Sequence, residues 1–501
     1  MPSFEFVLIG LTLLCGFYVA WNIGANDVAN AMGTSVGSGA LTLRRAVLLA
    51  AVFEFAGAYL VGSNVSETVR KKMFDPAMLT DIYGAEAAYI LACGMIASLM
   101  AAGTWLLIAT WASWPVSTTH SIVGAVVGFG VIALGMEGVE WSQVGLISVG
   151  WIVSPLISGA VAYVLFGLLL KMVFFKRDPV RAAQKVVPYL VVLVILVLAG
   201  VTTYKGLKPF WKAHDLDPFS PLFVGILLAI SLGLGVISFF VSKKLIGRIT
   251  PKQTSAEGVN AVLAAEASRS LAKALMHLKR VRNSSQGEVQ SRAEQLLSEV
   301  EEVQEESRKL EIANADSDEL RQVEKIFVIL QVLTACLVAF AHGSNDVANA
   351  IGPLSAAYQS IKSGAIQLES TTPTWALLLG GTGIVIGLAT WGWRVIQTVG
   401  KKITELTPSR GFCAEFAAAI TILVASTLPT GLPISTTHTL VGAVLGVGLA
   451  RGINALNLKT MRDIIAGWAI TIPAGAGLAI VFYLLLKAIF INSGWVNTVL
   501  P

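Results

Sequence analysis

Residues 24–31 read Gly24-Ala25-Asn26-Asp27-Val28-Ala29-Asn30-Ala31, and the stretch returns with one change as Gly343-Ser344-Asn345-Asp346-Val347-Ala348-Asn349-Ala350. A second element is duplicated with it: Pro115-Val116-Ser117-Thr118-Thr119-His120 returns as Pro433-Ile434-Ser435-Thr436-Thr437-His438. Asp27 stands 90 residues before Ser117, and Asp346 stands 89 before Ser435. Such agreement in identity and separation marks an internal duplication. Both copies lie in strongly apolar sequence, and paired polar, glycine-punctuated elements at membrane depth are a mark of transporter sites.

Working outward, the chain has 501 residues, 55% hydrophobic and 13% charged, with a mean hydropathy of +0.71. Ordinary soluble domains carry about 25% charged residues. Apolar runs long enough for a hydrocarbon core of roughly 30 Å are expected at 4–25, 46–66, 86–111, 116–134, 144–173, 187–204 and 219–242. The second half adds 325–343, 373–397, 411–428, 434–450 and 463–490. The fold class is therefore an all-α polytopic membrane protein of about 12 segments, in two inverted repeats with broken helices or hairpins, plus a soluble helical insert. The segments opening at Val116 and Ile434 follow a proline and begin with hydroxyl residues, so they read as re-entrant hairpin arms or spans. Phe4–Val19 lacks a basic n-region and reads as the first span rather than a cleavable signal. Cys15, Cys93, Cys336 and Cys413 sit in apolar runs without metal-ligand spacing, as small core residues do. The net charge of +5 reads as topology-setting lysine and arginine, not a nucleic-acid surface.

Loops carrying Arg44/Arg45, Lys176/Arg177/Arg181/Lys185, Lys401/Lys402/Arg410 and Arg451/Lys459/Arg462 fall on one side of such a model. The positive-inside rule makes that side cytoplasmic and puts both termini outside; Arg70-Lys71-Lys72 and the lysines of 205–212 count against it. Six crossings separate the two motif helices, which then enter from opposite faces as inverted repeats do. The expected organisation is 1–242 as the first membrane repeat with linking helices, 243–323 as a cytoplasmic helical insert, and 324–501 as the second repeat. Within the insert, Val289, Ala293, Leu296, Val300, Val303 and Leu310 form an amphipathic pattern, expected to pack on the insert itself or on a second protomer.

An ionisable residue inside a span is a functional hypothesis by default. The oxygens of Asn26, Asp27 and Asn30, and of Asn345, Asp346 and Asn349, are hard ligands suited to an alkali cation. Gly24, Gly33, Gly37, Gly39, Gly343 and Gly352-Pro353 favour a helix break that would add backbone carbonyls. Duplication with aspartate favours cation ligation over simple interhelical bonding by the asparagines. Ser117-Thr118-Thr119 and Ser435-Thr436-Thr437, each after a proline, are helix-start signals. Two such ends could grip a tetrahedral oxyanion, or could simply be N-caps; duplication shifts the balance to the anion. His120 and His438 could carry a proton or pack a bend. Glu54 and Glu415 are further carboxylates in apolar runs that burial obliges to find a partner; they do not occupy matching repeat positions. No transition-metal site is expected, since neither His-x-x-x-His nor Glu-x-x-His occurs and oxygen ligands suit alkali ions better than zinc.

These paired elements resemble the inorganic phosphate transporter (PiT) family over 1–242 and 324–490, with Gly37-Ser38-Gly39, Thr42-Leu43-Arg44 and the stretch from Trp393 to Lys401 similar to family sequence too. The resemblance implies a non-enzymatic symporter of inorganic phosphate, elevator-like and commonly homodimeric. It carries phosphate and cation sites onto Asp27, Asn30, Ser117, Thr118 and Thr119 and onto Asp346, Asn349, Ser435, Thr436 and Thr437. It makes Glu54 and Glu415 carboxylates needed for transport. Proton-coupled bacterial members tend to have histidine where this chain has Asn26, so the sequence looks like the sodium-coupled branch, with sodium as co-substrate and no cofactor. The expected location is the plasma (inner) membrane. Proton coupling, or sulfate as substrate, is the near alternative; a metal-dependent intramembrane hydrolase and a passive channel are the distant ones.

Overall fold

The computed structural model describes residues 4–63, 73–206, 220–249, 271, 274–314, 318–366, 372–396, 406–427, 433–452 and 458–498. Residues 250–270 of the expected insert, Arg70–Lys72, the lysines of 207–212 and Lys401–Lys402 lie outside the described residues. The described chain is helical throughout: α1 (Phe4–Gly37), α2 (Leu43–Val61), α3 (Pro76–Tyr83), α4 (Ala87–Trp111), α5 (Thr118–Leu134), α6 (Trp141–Leu169) and α7 (Pro179–Gly206) come first. They are followed by α8 (Pro221–Ile246), α9 (Glu288–Asn314), α10 (Asp318–Ser363), α11 (Thr374–Thr390), α12 (Pro408–Thr427), α13 (Thr436–Arg451) and α14 (Leu458–Phe490).

Eight of the helical stretches among the described residues are long and apolar enough to cross a membrane. The difference from the twelve expected has physical causes. Helix α2 carries Arg44, Arg45 and Glu54 within 19 residues. The 17 residues of α5 and 16 of α13 extend only about 26 and 24 Å at 1.5 Å per residue, short of a roughly 30 Å core. Their length agrees with the hairpin arms that the sequence suggests. Helix α11 is likewise a shorter apolar helix. In contrast, the 46 residues of α10 reach about 69 Å, more than any bilayer needs.

The expected break inside the polar motifs is absent. Helix α1 runs unbroken through Gly24–Ala31 and α10 through Gly343–Ala350 and past Pro353. Helix α1 ends at Gly37, and Gly39, with a φ of +78°, supplies the left-handed turn just beyond it. The motif glycines serve close packing instead. A Cβ on Gly24 would overlap the carbonyl of Ile384 on α11, and one on Gly343 would overlap that of Glu54 on α2. Gly57 and Gly387 repeat the pattern against the carbonyls of Phe340 and Trp21. Each repeat thus lays its second helix on the motif helix of the other.

The chain divides into two compact units. One comprises Met1–Phe166, Val194–Leu234 and Gln331–Pro501 and holds both copies of each motif. In it α1 packs along α11 and α4, α14 along α5 and α4, α2 on α11, and α12 on α13. The other comprises Gly167–Leu193 and Gly235–Leu330. There Gln184 donates to the carbonyl of Ile249 at 2.7 Å, and Tyr189 packs at a tilt on Phe239 with ring centroids 5.2 Å apart. Among the described side chains of α9, which do not include Leu310, Ala293 and Leu297 are buried, Val300 is half-buried, and Val289, Leu296 and Val303 are exposed. The stripe expected from sequence is thus shifted, with Lys279 pairing to Glu301 beside it at 3.2 Å.

Candidate functional site

Hairpin arms α5 and α13 begin as the sequence signalled. Ser117 and Ser435 are N-caps in extended backbone, accepting the amides of His120 (3.2 Å) and His438 (3.1 Å). Capping consumes an acceptor lone pair and leaves each hydroxyl proton available to donate. The first-turn N–H groups of Thr118, Thr119, Thr436 and Thr437 have no intrahelical acceptor, as at any helix start.

The threonines tie these ends to the motif helices in a matched pattern. Thr118 Oγ1 donates to Asp27 Oδ2 at 2.8 Å, and Thr436 Oγ1 to Asp346 Oδ2 at 2.7 Å. The next pair crosses between hairpins: Thr119 Oγ1 donates to the carbonyl of Ile434, and Thr437 Oγ1 to that of Val116, both at 3.1 Å. The asparagines cross too. Asn30 Nδ2 donates to Thr437 Oγ1 at 2.8 Å, and Asn349 Nδ2 to Thr118 and Thr119 Oγ1, each at 3.3 Å. All of these side chains are buried. The two copies of each motif therefore converge on one site, with each repeat completing the other.

Two oxygens in this site, Asp27 Oδ1 and Asn349 Oδ1, are buried without a hydrogen-bond partner, which in a native structure calls for an explanation such as an ion or water. Asn26 and Asn345 are directed elsewhere. Asn26 donates to Thr110 Oγ1 and the carbonyl of Trp114. Its counterpart contacts Ser426 at 3.0 Å, and the surrounding donors and acceptors orient its amide towards Asp346 Oδ1 and the carbonyl of Ile434. Each braces its hairpin against the motif helix.

His342 is the residue that sequence reasoning missed. Its Nε2 lies 2.8 Å from Asp346 Oδ2 and 3.9 Å from Asp27 Oδ2, and its Nδ1 lies 3.2 Å from Glu54 Oε1. It is fully buried, as are all three carboxylates. One nitrogen of His342 and one oxygen from each aspartate lie within 4.8 Å of one another. The available signal was an ionisable residue in an apolar span, four before Asp346 and so on the same helix face.

Glu415 is held apart from that cluster. Its Oε1 accepts from Thr34 (2.5 Å) and Ser35 (2.6 Å), and its Oε2 from Thr334 (2.6 Å). Glu54 and Glu415 thus have different partners, in keeping with their unmatched positions. His120 and His438 pack against each other with ring centroids 4.3 Å apart, flanked by Trp151 at 3.9 Å and Trp468 at 3.5 Å respectively. His438 Nδ1 is 3.3 Å from the carbonyl of Trp151. No carboxylate stands within ion-pair distance of either imidazole among the described residues.

A multi-pass helical membrane protein whose two repeats build one buried polar site from paired motifs has the makings of a transporter, not an enzyme. Its sequence matches the model of the phosphate transporter family over residues 23–479, and the chain belongs to that family of phosphate transporters. It is 41% identical over 485 residues to a relative from Haemophilus influenzae, covering 96% of this chain and 97% of that one. It is also 41% identical over 473 residues to inorganic phosphate transporter 2-1, chloroplastic, of Arabidopsis thaliana, covering 94% of this chain and 71% of the relative. A solved structure of a sodium-dependent phosphate transporter matches with a TM-score of 0.72 and 34% identity, over 96% of this chain and 100% of the other.

Proposed function

We propose that the chain imports inorganic phosphate together with sodium ions across the plasma (inner) membrane, by alternating access between its two inverted repeats. The observation that carries this reading is the crossed network at the two hairpin ends. Phosphate would take the hydroxyls and first-turn amides of Ser117, Thr118, Thr119, Ser435, Thr436 and Thr437, with Asn30 and Asn349 as further donors. Sodium would take Asp27 and Asp346 with neighbouring amide oxygens, beginning at the two unpartnered ones, Asp27 Oδ1 and Asn349 Oδ1. Asn26 and Asn345 would serve from behind.

The hydrogen bonds suggest how the two cargoes are coupled. Thr118 and Thr436 now spend their donors on the two aspartates, and a carboxylate beside an incoming dianion repels it. A cation on each aspartate would offset that repulsion and let the threonine hydroxyls turn to phosphate. Sodium therefore binds first and prepares the anion site. The electrical accounting agrees: carrying a dianion into a negative interior costs about 4.6 kcal/mol per 100 mV, which two sodium ions would cancel.

We also propose a homodimer, both termini outside, and 243–323 as a cytoplasmic insert. The second reading, proton coupling, is favoured by His342 among three carboxylates. Uptake of radiolabelled phosphate into proteoliposomes, under a sodium gradient or a proton gradient applied separately, distinguishes the two. Sodium-driven accumulation supports the proposal; accumulation driven only by protons replaces it. In the same assay Ser117→Ala with Ser435→Ala should weaken apparent phosphate affinity about 100-fold or more, since each of the two lost hydrogen bonds to an ion is worth about 1.5–3 kcal/mol. Unchanged uptake and affinity would refute the anion assignment, and displacement of phosphate by sulfate would widen the substrate.

A further inference from the structure

The two repeats match at the aspartates, the asparagines and the Ser-Thr-Thr caps of the site, but not at a pair of positions directly behind one aspartate. On the motif helices the offset is 319, since Asp27 aligns with Asp346, and His342 then aligns with Ile23. On α2 and α11 the offset is 330. Gly57 lies against the Phe340 carbonyl as Gly387 lies against that of Trp21. Glu54 then aligns with Ile384. The alignment is confirmed at the helix contacts, where Gly343 abuts Glu54 as Gly24 abuts Ile384. A buried histidine–glutamate pair on one side of the site therefore has two isoleucines as its counterpart on the other.

Such a pair costs desolvation that the isoleucines avoid, so a duplicated protein would lose it by drift unless it served the site. Neither Glu54 oxygen and neither His342 ring nitrogen has a hydrogen-bond partner elsewhere, and the two side chains face each other at ion-pair distance, 3.2 Å. Across that ring the other nitrogen reaches Asp346 at 2.8 Å, whereas Asp27 is 3.9 Å away. An imidazole with a carboxylate on one nitrogen has a fixed ring orientation, as is familiar from histidines held behind metal sites. Asp27 has no equivalent support, because Ile23 and Ile384 stand there.

We propose that Glu54 and His342 form a positioning relay for Asp346 alone: Glu54 sets the His342 ring, the ring sets the Asp346 carboxylate, and Glu54 acts on the transported ions only through the imidazole. Both are positioning residues, and the inference rests on the reading of Asp346 as a cation and phosphate group. The two half-sites then differ in support: Asp346 is held by Thr436 and by the imidazole, Asp27 by Thr118 with the imidazole farther off.

The test is a mutant cycle with sodium half-saturation of phosphate uptake as its readout. Glu54→Gln should raise the sodium concentration for half-maximal uptake at least fivefold, and His342→Ile at least as much. Glu54→Gln added to His342→Ile should then have no further effect, within twofold. The pair Glu54→Ile with His342→Ile reproduces the apolar pair of the other half, removes both members of the relay together, and should remain monodisperse in detergent with the same loss of sodium affinity. A sodium half-saturation unchanged in Glu54→Gln, or one raised further when it is added to His342→Ile, would overturn the relay. The cycle is read a second time, without transport, from the sodium concentration at which inorganic phosphate raises the melting temperature of the purified protein. A wild-type chain that accumulates no phosphate under sodium would thus count against the proposed function, while this second reading would still decide the relay.

Discussion

Asp27→Asn is expected to reduce sodium-driven phosphate uptake by roughly 100-fold or more, the equivalent of about 2.8 kcal/mol of lost cation binding. The side chain is fully buried and takes the Thr118 hydroxyl at the start of α5. Asparagine keeps the volume and can still accept that hydroxyl, so the fold should survive and size-exclusion behaviour in detergent should not change. What is lost is the charge that attracts a cation. Asp346→Asn should be equally damaging, with an added fall in melting temperature because His342 loses its nearer partner. An Asp27→Asn protein that is monodisperse and transports within 10-fold of wild type would remove Asp27 from the proposed cation site.

Gly387→Val should have the largest effect on stability, about 3 kcal/mol or more, the upper end of what overpacking costs. A Cβ at that position would overlap the carbonyl of Trp21 and come within 3.0 Å of the Ala25 amide. Both are backbone atoms of α1 and cannot turn aside as a side chain would. The helices must separate, and with them the motif that α11 holds in place. Gly467→Val, where nothing lies within 4 Å, is the control. Melting temperatures of the two variants in detergent decide the matter: equal values would mean that the close approach of α1 and α11 does not support the fold.

Much of this architecture was legible in the sequence because the chemistry is written twice. The octapeptide, the Pro-x-Ser-Thr-Thr-His element and their separation located both motif helices and both hairpin starts, and the serine caps form as the helix-start signal required. Reading by duplication has a blind spot, however, and His342 fell into it. It is one residue outside the repeated stretch, and its counterpart is Ile23, so comparing copies discards it. The partners of Glu415 were hidden differently. Thr34, Ser35 and Thr334 are scattered hydroxyls in helices, where each could as readily have bonded its own backbone. The motif glycines were misread for a third reason: a glycine that breaks a helix and one that admits a neighbouring backbone look the same in sequence.

The crossed threonine and asparagine bonds bear on how the site can open. Asn30 reaches the second hairpin while Asn349 reaches the first, and each hairpin's second threonine holds a carbonyl of the other. Neither hairpin can withdraw alone, since its departure strips partners from both repeats at once. The tie works like a buckle with two tongues, released together or not at all. Half-open intermediates are accordingly costly, and a transporter that avoids them does not leak its driving ion.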